Sequence, residues 1–392
     1  MGKSLEVMKS RMLSASTFIR MENKETIYKI SFSFLKKMNV SLLSEILKKE
    51  LSPEDFFTSP TKELISRLGI RPDHAFDKIA REEAVSMAIK EWNKIKNHNI
   101  IPLFVLDENY PKRLAETYEP PIILYKLGNT DLDGDHLLSV VGTRKPSPYG
   151  LDFCNKFIEE VAEYFNDAKI ISGLAYGIDA VAHKKALEKN LTTVAVVAHG
   201  LNMIYPAAHR NLAKEIIRSG GAILSEYPFD TKPFKPNFLA RNRIVAGLSD
   251  VTIVVESNIK GGAMSTANFA FMYTRDVMAL PGRSSDDLSS GCNLLIRKNK
   301  AHLLECAADM IEVTGWKPLN VLVSPQQRNL FPELQGEEKR IYEILKFSSD
   351  PIQMDQLVHL SGIPVAKLTG LLSELEFDGI IMRHPGNRFS IS

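Results

Sequence analysis

The segment 234–247, FKPNFLARNRIVAG, carries Lys235, Arg241 and Arg243, with Lys232 just upstream, and no acidic residue. Phe234 and Phe238 are interleaved with these cations. Phosphates need positive charge and unstacked bases need π surface, so the mixture suits a single nucleic-acid strand. The same residues would also serve as a solvated helix N-terminus laid over core phenylalanines. Lys235, Phe238, Arg241, Asn242 and Arg243 are the first candidates for contact with a strand, and Arg241 and Arg243 are expected to project near the next strand end.

Three glycine-bearing loops keep this segment company. In VVGTRKPSPYG, 140–150, Gly142 and Thr143 end an apolar run and Arg144 and Lys145 follow. Amides at such a turn form a phosphate-sized nest, and a guanidinium forks onto the same group. In ISGLAYGIDAVAH, 171–183, Ser172, Gly173 and Gly177 let the backbone approach a ligand, with Tyr176 between them. In ESNIKGGAMSTA, 256–267, Gly261 and Gly262 lead into a helix whose first turn holds Ser265 and Thr266. A single glycine loop is a weak signal, since most α/β proteins use them for tight turns. GxGxxG is absent at the first strand and GxxxxGK[ST] is absent throughout, which argues against a nicotinamide enzyme or an ATPase.

Other polar residues admit two readings. Asp179 and His183, four apart on a helix, resemble a catalytic pair, but such pairs more often satisfy local structure. Glu226 and Glu256 at strand ends are candidate acids or bases, or else they orient loops and arginines. His199 and His209 flank the turn GLNMIYPAAHR, where Tyr205-Pro206 reads as turn chemistry and His209 and Arg210 are candidates to line the groove.

The elements that must position these residues follow from periodicity. Apolar runs at 137–141, 169–172, 193–198, 222–225, 251–256 and 277–280 alternate with helical patterns such as 148–165 and 263–274. Continuous apolar strands separated by helices predict an α/β fold, a Rossmann-like doubly wound and largely parallel sheet. Ligands of such sheets bind at the carboxyl ends of the strands. Before it, 25–97 reads as a helical domain or a helical addition to the core, and two short strands are expected at 102–106 and 122–125. The core domain with its connector is set at 98–316, a linker at 317–336, and a winged helix at 337–392, with strands around His384-Pro385-Gly386-Asn387. Residues 1–24 read as a disordered extension.

Net charge is +2, so no global field draws the chain to nucleic acid and any phosphate binding must be local. Cys154, Cys292 and Cys306 lack metal-ligand spacing and suggest neither a disulfide frame nor a zinc site, consistent with a reducing cytoplasm. No run approaches the length of a membrane span, and the basic, Ser-rich 1–20 lacks the apolar centre of a secretory signal.

Taken in order, VVGTRKPSPYG, ISGLAYGIDAVAH, YPAAHRNLA, GAILSEYPFD, FLARNRIVAGLSD, IVVESNIKGGAMSTANFA and VMALPGRSSDDLSSGCNLLI resemble the DNA-processing protein A family, also called Smf, of bacterial transformation and recombination. The resemblance spans about 137–299 closely, and its helical SAM-like amino-terminal domain and carboxy-terminal winged helix fit the remaining organisation. It implies a cytoplasmic, non-enzymatic protein without cofactor or metal. Such a protein binds single-stranded DNA, loads the recombinase RecA onto it and acts as a homodimer. It implies phosphate contacts at Arg144, Lys145, Arg241 and Arg243, joined by the backbone of the turns 172–177 and 261–266. With the candidates read from the residues themselves, the expected DNA contacts are Gly142, Thr143, Arg144 and Lys145; Ser172, Gly173, Tyr176 and Gly177; Lys235, Phe238, Arg241, Asn242 and Arg243; and Gly261, Gly262, Ser265 and Thr266. Where members often carry a cation in SGLAxGID, this chain has Tyr176, which suits stacking on a base. Where many read SGSLxTA, this chain has Gly262 to Ala267 as GAMSTA, one hydroxyl fewer. In the winged domain, Glu374, Glu376 and Asp378 make the third helix a poor duplex reader, so Arg383, His384 and Arg388 are the better surface for DNA or protein. The rival class is a nucleotide phosphoribohydrolase-like enzyme. Its PGGxGTxxE loop would need a carboxylate where Asn268 stands, leaving Glu256 as the alternative acid.

Overall fold

The computed structural model describes residues 23–49, 51–69, 77–318, 336–348, 351–377, 380–384 and 387–391. Most of the expected extension 1–24 and linker 317–336 lies outside the described residues, as do Asp378, Pro385 and Gly386. The chain divides into two compact units, 1–319 and 320–392.

The first unit is built on a nine-stranded sheet: β1 Ile100–Phe104, β2 Ile123–Gly128, β3 Leu137–Gly142, β4 Lys169–Ser172, β5 Thr192–Val196, β6 Ala222–Ser225, β7 Val251–Val255, β8 Asp276–Ala279 and β9 His302–Leu303. Its order is β1-β2-β6-β5-β4-β3-β7-β8-β9. From β6 to β9 every pairing is parallel, with Val140 opposite Ile253 at the centre. β1 and β2 add an antiparallel edge, β2 pairing with β6. The outermost β9 was not foreseen, because two residues carry no period.

Successive strand residues point to opposite faces, and the core shows it. Leu137 and Val141 of β3 join one apolar cluster, while Leu138 and Val140 join another. Val254 and its neighbours Ile253 and Val255 divide in the same way. Both faces are therefore covered, which is why these strands read as unbroken Val/Ile/Leu runs. The helix Pro148–Tyr164 covers one face through Cys154, Phe157, Ile158 and Val161. The helices Lys235–Gly247 and Gly262–Met272 supply Val245, Ala263 and Ala267 to the other.

The helices Lys24–Phe32, Val40–Lys48, Pro53–Thr58, Thr61–Leu68 and Lys78–Ile95 precede the sheet. Phe32 packs its ring 6.3 Å from Phe104 of β1, and the helical residues share one apolar cluster with β1 and β2. The second unit has helices Gly336–Lys346, Met354–Ser361 and Val365–Phe377 around Ile341, Leu357, Leu368 and Phe389. Its strands β10 Ile352–Gln353, β11 Ile381–His384 and β12 Arg388–Ile391 form an antiparallel sheet of order β10-β12-β11, the winged-helix arrangement with one additional short strand.

Candidate functional site

From β3 the chain steps outward through β4, β5 and β6 on one side and returns at β7 on the other. The two sides part between β3 and β7, the place where an open parallel sheet leaves a crevice. There the Thr143 amide donates to the Glu256 carbonyl at 2.7 Å. A cleft of about 290 Å³ opens beside it. Gly142, Thr143 and Arg144 form one wall, and Gly173 and Asp179 another. Phe238, Arg241 and Asn242 close the third side, with Gly261, Gly262 and Thr266 on the fourth.

Each wall has a local cause. Glu256 adopts φ +55°, and its carboxylate accepts from the Ser147 amide at 2.9 Å and from the Ser147 hydroxyl. This fixes the loop that carries Arg144 and Lys145. Asp179 accepts from the amides of Gly173 at 3.1 Å and Ala175 at 3.2 Å, folding the second loop back on its own helix. Gly177 sits at φ +78°, and a Cβ there would lie 2.2 Å from the Thr143 carbonyl. Only glycine takes that conformation at that distance without strain. Gly261 caps the helix Gly262–Met272, whose first amides face the cleft as an anion-friendly N-terminus. Asn242 holds this end by donating to Ser265 Oγ at 2.7 Å.

The arginines part company. Arg144 is exposed, with its guanidinium 5.9 Å from the Phe238 ring centre. Arg241 is 5% exposed and donates to the carbonyls of Gly173, at 2.8 Å, and Val196. Burial lowers its pKa, opposed by the charge of Asp179. Burial pushes the Asp179 carboxyl upward, opposed mainly by Arg241. Arg243 pairs with Glu226, both side chains largely buried, and does not line the cleft. Of the two expected contacts only Arg241 faces the crevice, because residues two apart on a helix differ by about 200° in direction.

The remaining expected residues surround the cleft without lining it. Lys145, Tyr176 and Lys235 are exposed. Ser172 is buried below, donating to the Val140 carbonyl at 2.6 Å, and Ser265 serves Asn242. Glu226 and Glu256 orient an arginine and a loop. Glu256 lines a neighbouring open cavity of about 960 Å³ instead of the cleft. Asp179 and His183 have separate partners, since His183 Nδ1 meets Thr193 Oγ1 at 2.6 Å. Among the described residues no group of His, Cys, Asp or Glu could hold a metal, and no helix is long and apolar enough to cross a membrane. Tyr205 was not singled out for contact, yet its ring lies 5.8 Å from Phe238 and is 50% exposed. Its sequence signal was only an aromatic before proline.

The profile described as DNA recombination-mediator protein A matches residues 102–315, and the one described as DprA winged helix domain matches 325–387. Protein Smf of Escherichia coli is 35% identical over 305 residues, 75% of this chain and 78% of that protein. DNA processing protein DprA of Streptococcus pneumoniae is 38% identical over 222 residues, 57% of this chain and 75% of that protein. The X-ray structure of the Streptococcus pneumoniae protein superposes with a TM-score of 0.60 at 32% identity, covering 74% of this chain and 96% of that one. With the loops that line the cleft all inside the matched region, the chain belongs to the DprA/Smf family of DNA-processing proteins.

Proposed function

We propose that the cleft binds the backbone of single-stranded DNA. The observation that carries this is the convergence of two amide-rich turns, Gly142–Thr143 and Gly261–Gly262, on one crevice edged by Arg144 stacked over Phe238. A phosphate fits the amides and the guanidinium. A base fits the Phe238 ring, and the exposed Tyr176 offers a second aromatic surface outside the cleft. Lys145, Lys235, Asn242 and Thr266 border the same path, and Ser172, Gly173, Gly177 and Ser265 hold its walls. Arg241 positions the second loop, and Arg243 supports the helix from its other side.

The recombination-mediator description of the matched family supports a further step, in which a homodimer loads RecA onto incoming single strands during natural transformation. The reading is of a binder and not of a phosphoribohydrolase, because Glu256 is committed to Ser147 and Asp179 to two amides.

Equal lengths of single-stranded and duplex DNA, titrated across a salt series, test the core of the proposal. Single strands should bind more tightly, with log K falling by about 0.7 per phosphate neutralised for each decade of salt. Tighter binding to duplex would refute it. RecA filament growth on strands coated with single-strand-binding protein tests the loading step.

A further inference from the structure

Tyr205 presents part of a large ring to solvent. The backbone at this point is pinned: the Tyr205 amide donates to His199 Nε2 at 3.2 Å, and His199 is itself buried with Nδ1 against the Gly200 carbonyl at 2.9 Å. Such an imidazole must be neutral, with its proton on Nδ1, and burial lowers its pKa accordingly. The Tyr205 side chain is by contrast half exposed, and its hydroxyl has no hydrogen-bond partner among the described residues. The ring stands at 59° to Phe238, and Phe238 in turn carries Arg144 on its face. The π surface of the cleft therefore continues outward from Arg144 through Phe238 to Tyr205. His209 Nδ1 donates to the Leu174 carbonyl at 2.9 Å, and its ring meets the half-exposed Tyr176 edge-on at 5.1 Å.

We propose that Tyr205, with Phe238, is a stacking subsite for an unpaired nucleobase next to the phosphate held in the cleft. The inference rests on the single-strand reading above and extends it onto the turn after β5. Three features favour a base over another flat ligand. The ring is continuous with the phosphate-binding wall. Arg144 lies 5.9 Å from the centre of the adjoining Phe238 ring, and the exposed Arg210 follows Tyr205 by five residues in the chain. A rigid backbone anchor spares the entropy of ordering a loop around the ligand. Every base has a π face, so the subsite should tolerate sequence while rejecting a backbone without bases.

The experiment compares full-length wild type, Tyr205→Ala and Tyr205→Phe by anisotropy on oligo-dT and on an abasic oligomer of equal length. Tyr205→Ala should weaken oligo-dT binding by about fivefold or more and abasic binding by less than about twofold, while Tyr205→Phe stays within about twofold of wild type on both. Equal losses on both oligomers, or no loss on oligo-dT, would overturn the subsite. Wild type that binds neither oligomer would overturn the single-strand reading and the subsite with it. Strong wild-type binding with an unaffected Tyr205→Ala would remove the subsite alone. Tyr205→Trp gives an independent readout, since stacking on the indole should quench added emission with oligo-dT and not with the abasic chain. An unquenched indole would also overturn the proposal.

Discussion

Arg241 and Arg243 leave the helix Lys235–Gly247 in opposite directions, one into the carbonyls of Gly173 and Val196 at the cleft and the other into an ion pair with Glu226. One basic tripeptide therefore does two jobs. Arg241 shapes the cleft wall, and Arg243 ties the helix to Glu226, just past the end of β6. Neither is a freely solvated cation, so the exposed positive charge beside the cleft is that of Arg144, Lys145 and Lys235.

This division predicts different phenotypes. Arg144→Ala should weaken single-strand binding on every sequence and flatten the salt slope by about one unit or less. Arg243→Ala should leave the slope unchanged and act on stability. Removing one partner of a largely buried pair strands the other charge, at a cost of about 3–5 kcal/mol. Urea denaturation should show Arg243→Ala and Glu226→Ala each destabilised, with the double variant less destabilised than the sum of the two. A flattened salt slope in folded Arg243→Ala would place that side chain on the DNA.

Two glycines separate fold from binding. Gly262 opens the helix at the cleft and a Cβ there meets nothing within 4 Å, so Gly262→Ala should fold normally and gain up to about 1 kcal/mol. Its methyl group would nevertheless stand where a phosphate approaches the amides, and affinity should drop. Gly177→Ala should do the reverse, because its positive φ and the nearby Thr143 carbonyl penalise a side chain by about 1–3 kcal/mol. Thermal unfolding and anisotropy on both variants check the pair. Unchanged DNA affinity in Gly262→Ala would argue that the strand does not touch that helix end.

His183 makes the core acid-sensitive. It is fully buried with Nε2 unpartnered, and burial, helped by the charges of His209 and Arg241, lowers its pKa to about 3. The unfolded chain takes this proton near pH 6.5, whereas the folded chain refuses it until about 3. Stability is therefore full above about pH 6.5 and falls as pH drops toward 3, by about 2 kcal/mol at pH 5. Urea midpoints followed by the emission of Trp92 and Trp316, both in the first unit, should show this loss between pH 7 and pH 5. His183→Gln should show less of it. That comparison isolates His183 from Asp179, whose upward shift has the opposite linkage sign.

The cleft lies wholly within the unit that ends at residue 319. A chain ending near Thr314 should keep single-strand affinity to within about tenfold, or about 1.4 kcal/mol. Anisotropy on that truncation, after light scattering confirms an unchanged oligomeric state, decides it. Loss of binding in a folded truncation would move the principal DNA contacts to the winged helix.

Some of this was legible in the chain itself. β4 and β6 match the apolar runs 169–172 and 222–225 residue for residue, because a strand buried on both faces leaves an unbroken apolar signature. The glycine turns were legible too, since close backbone approach and positive φ demand that residue type. β9 and β10 were not, because two-residue strands exist only through the neighbours that pair with them. The direction of Arg243, the commitment of Glu256 to Ser147 and the exposure of Tyr205 were likewise decided by the tertiary structure. Residue type determines what a side chain is able to do. Whether a cation meets phosphate or a buried carboxylate depends on which distant segment the fold brings to it, and no local pattern encodes that partner.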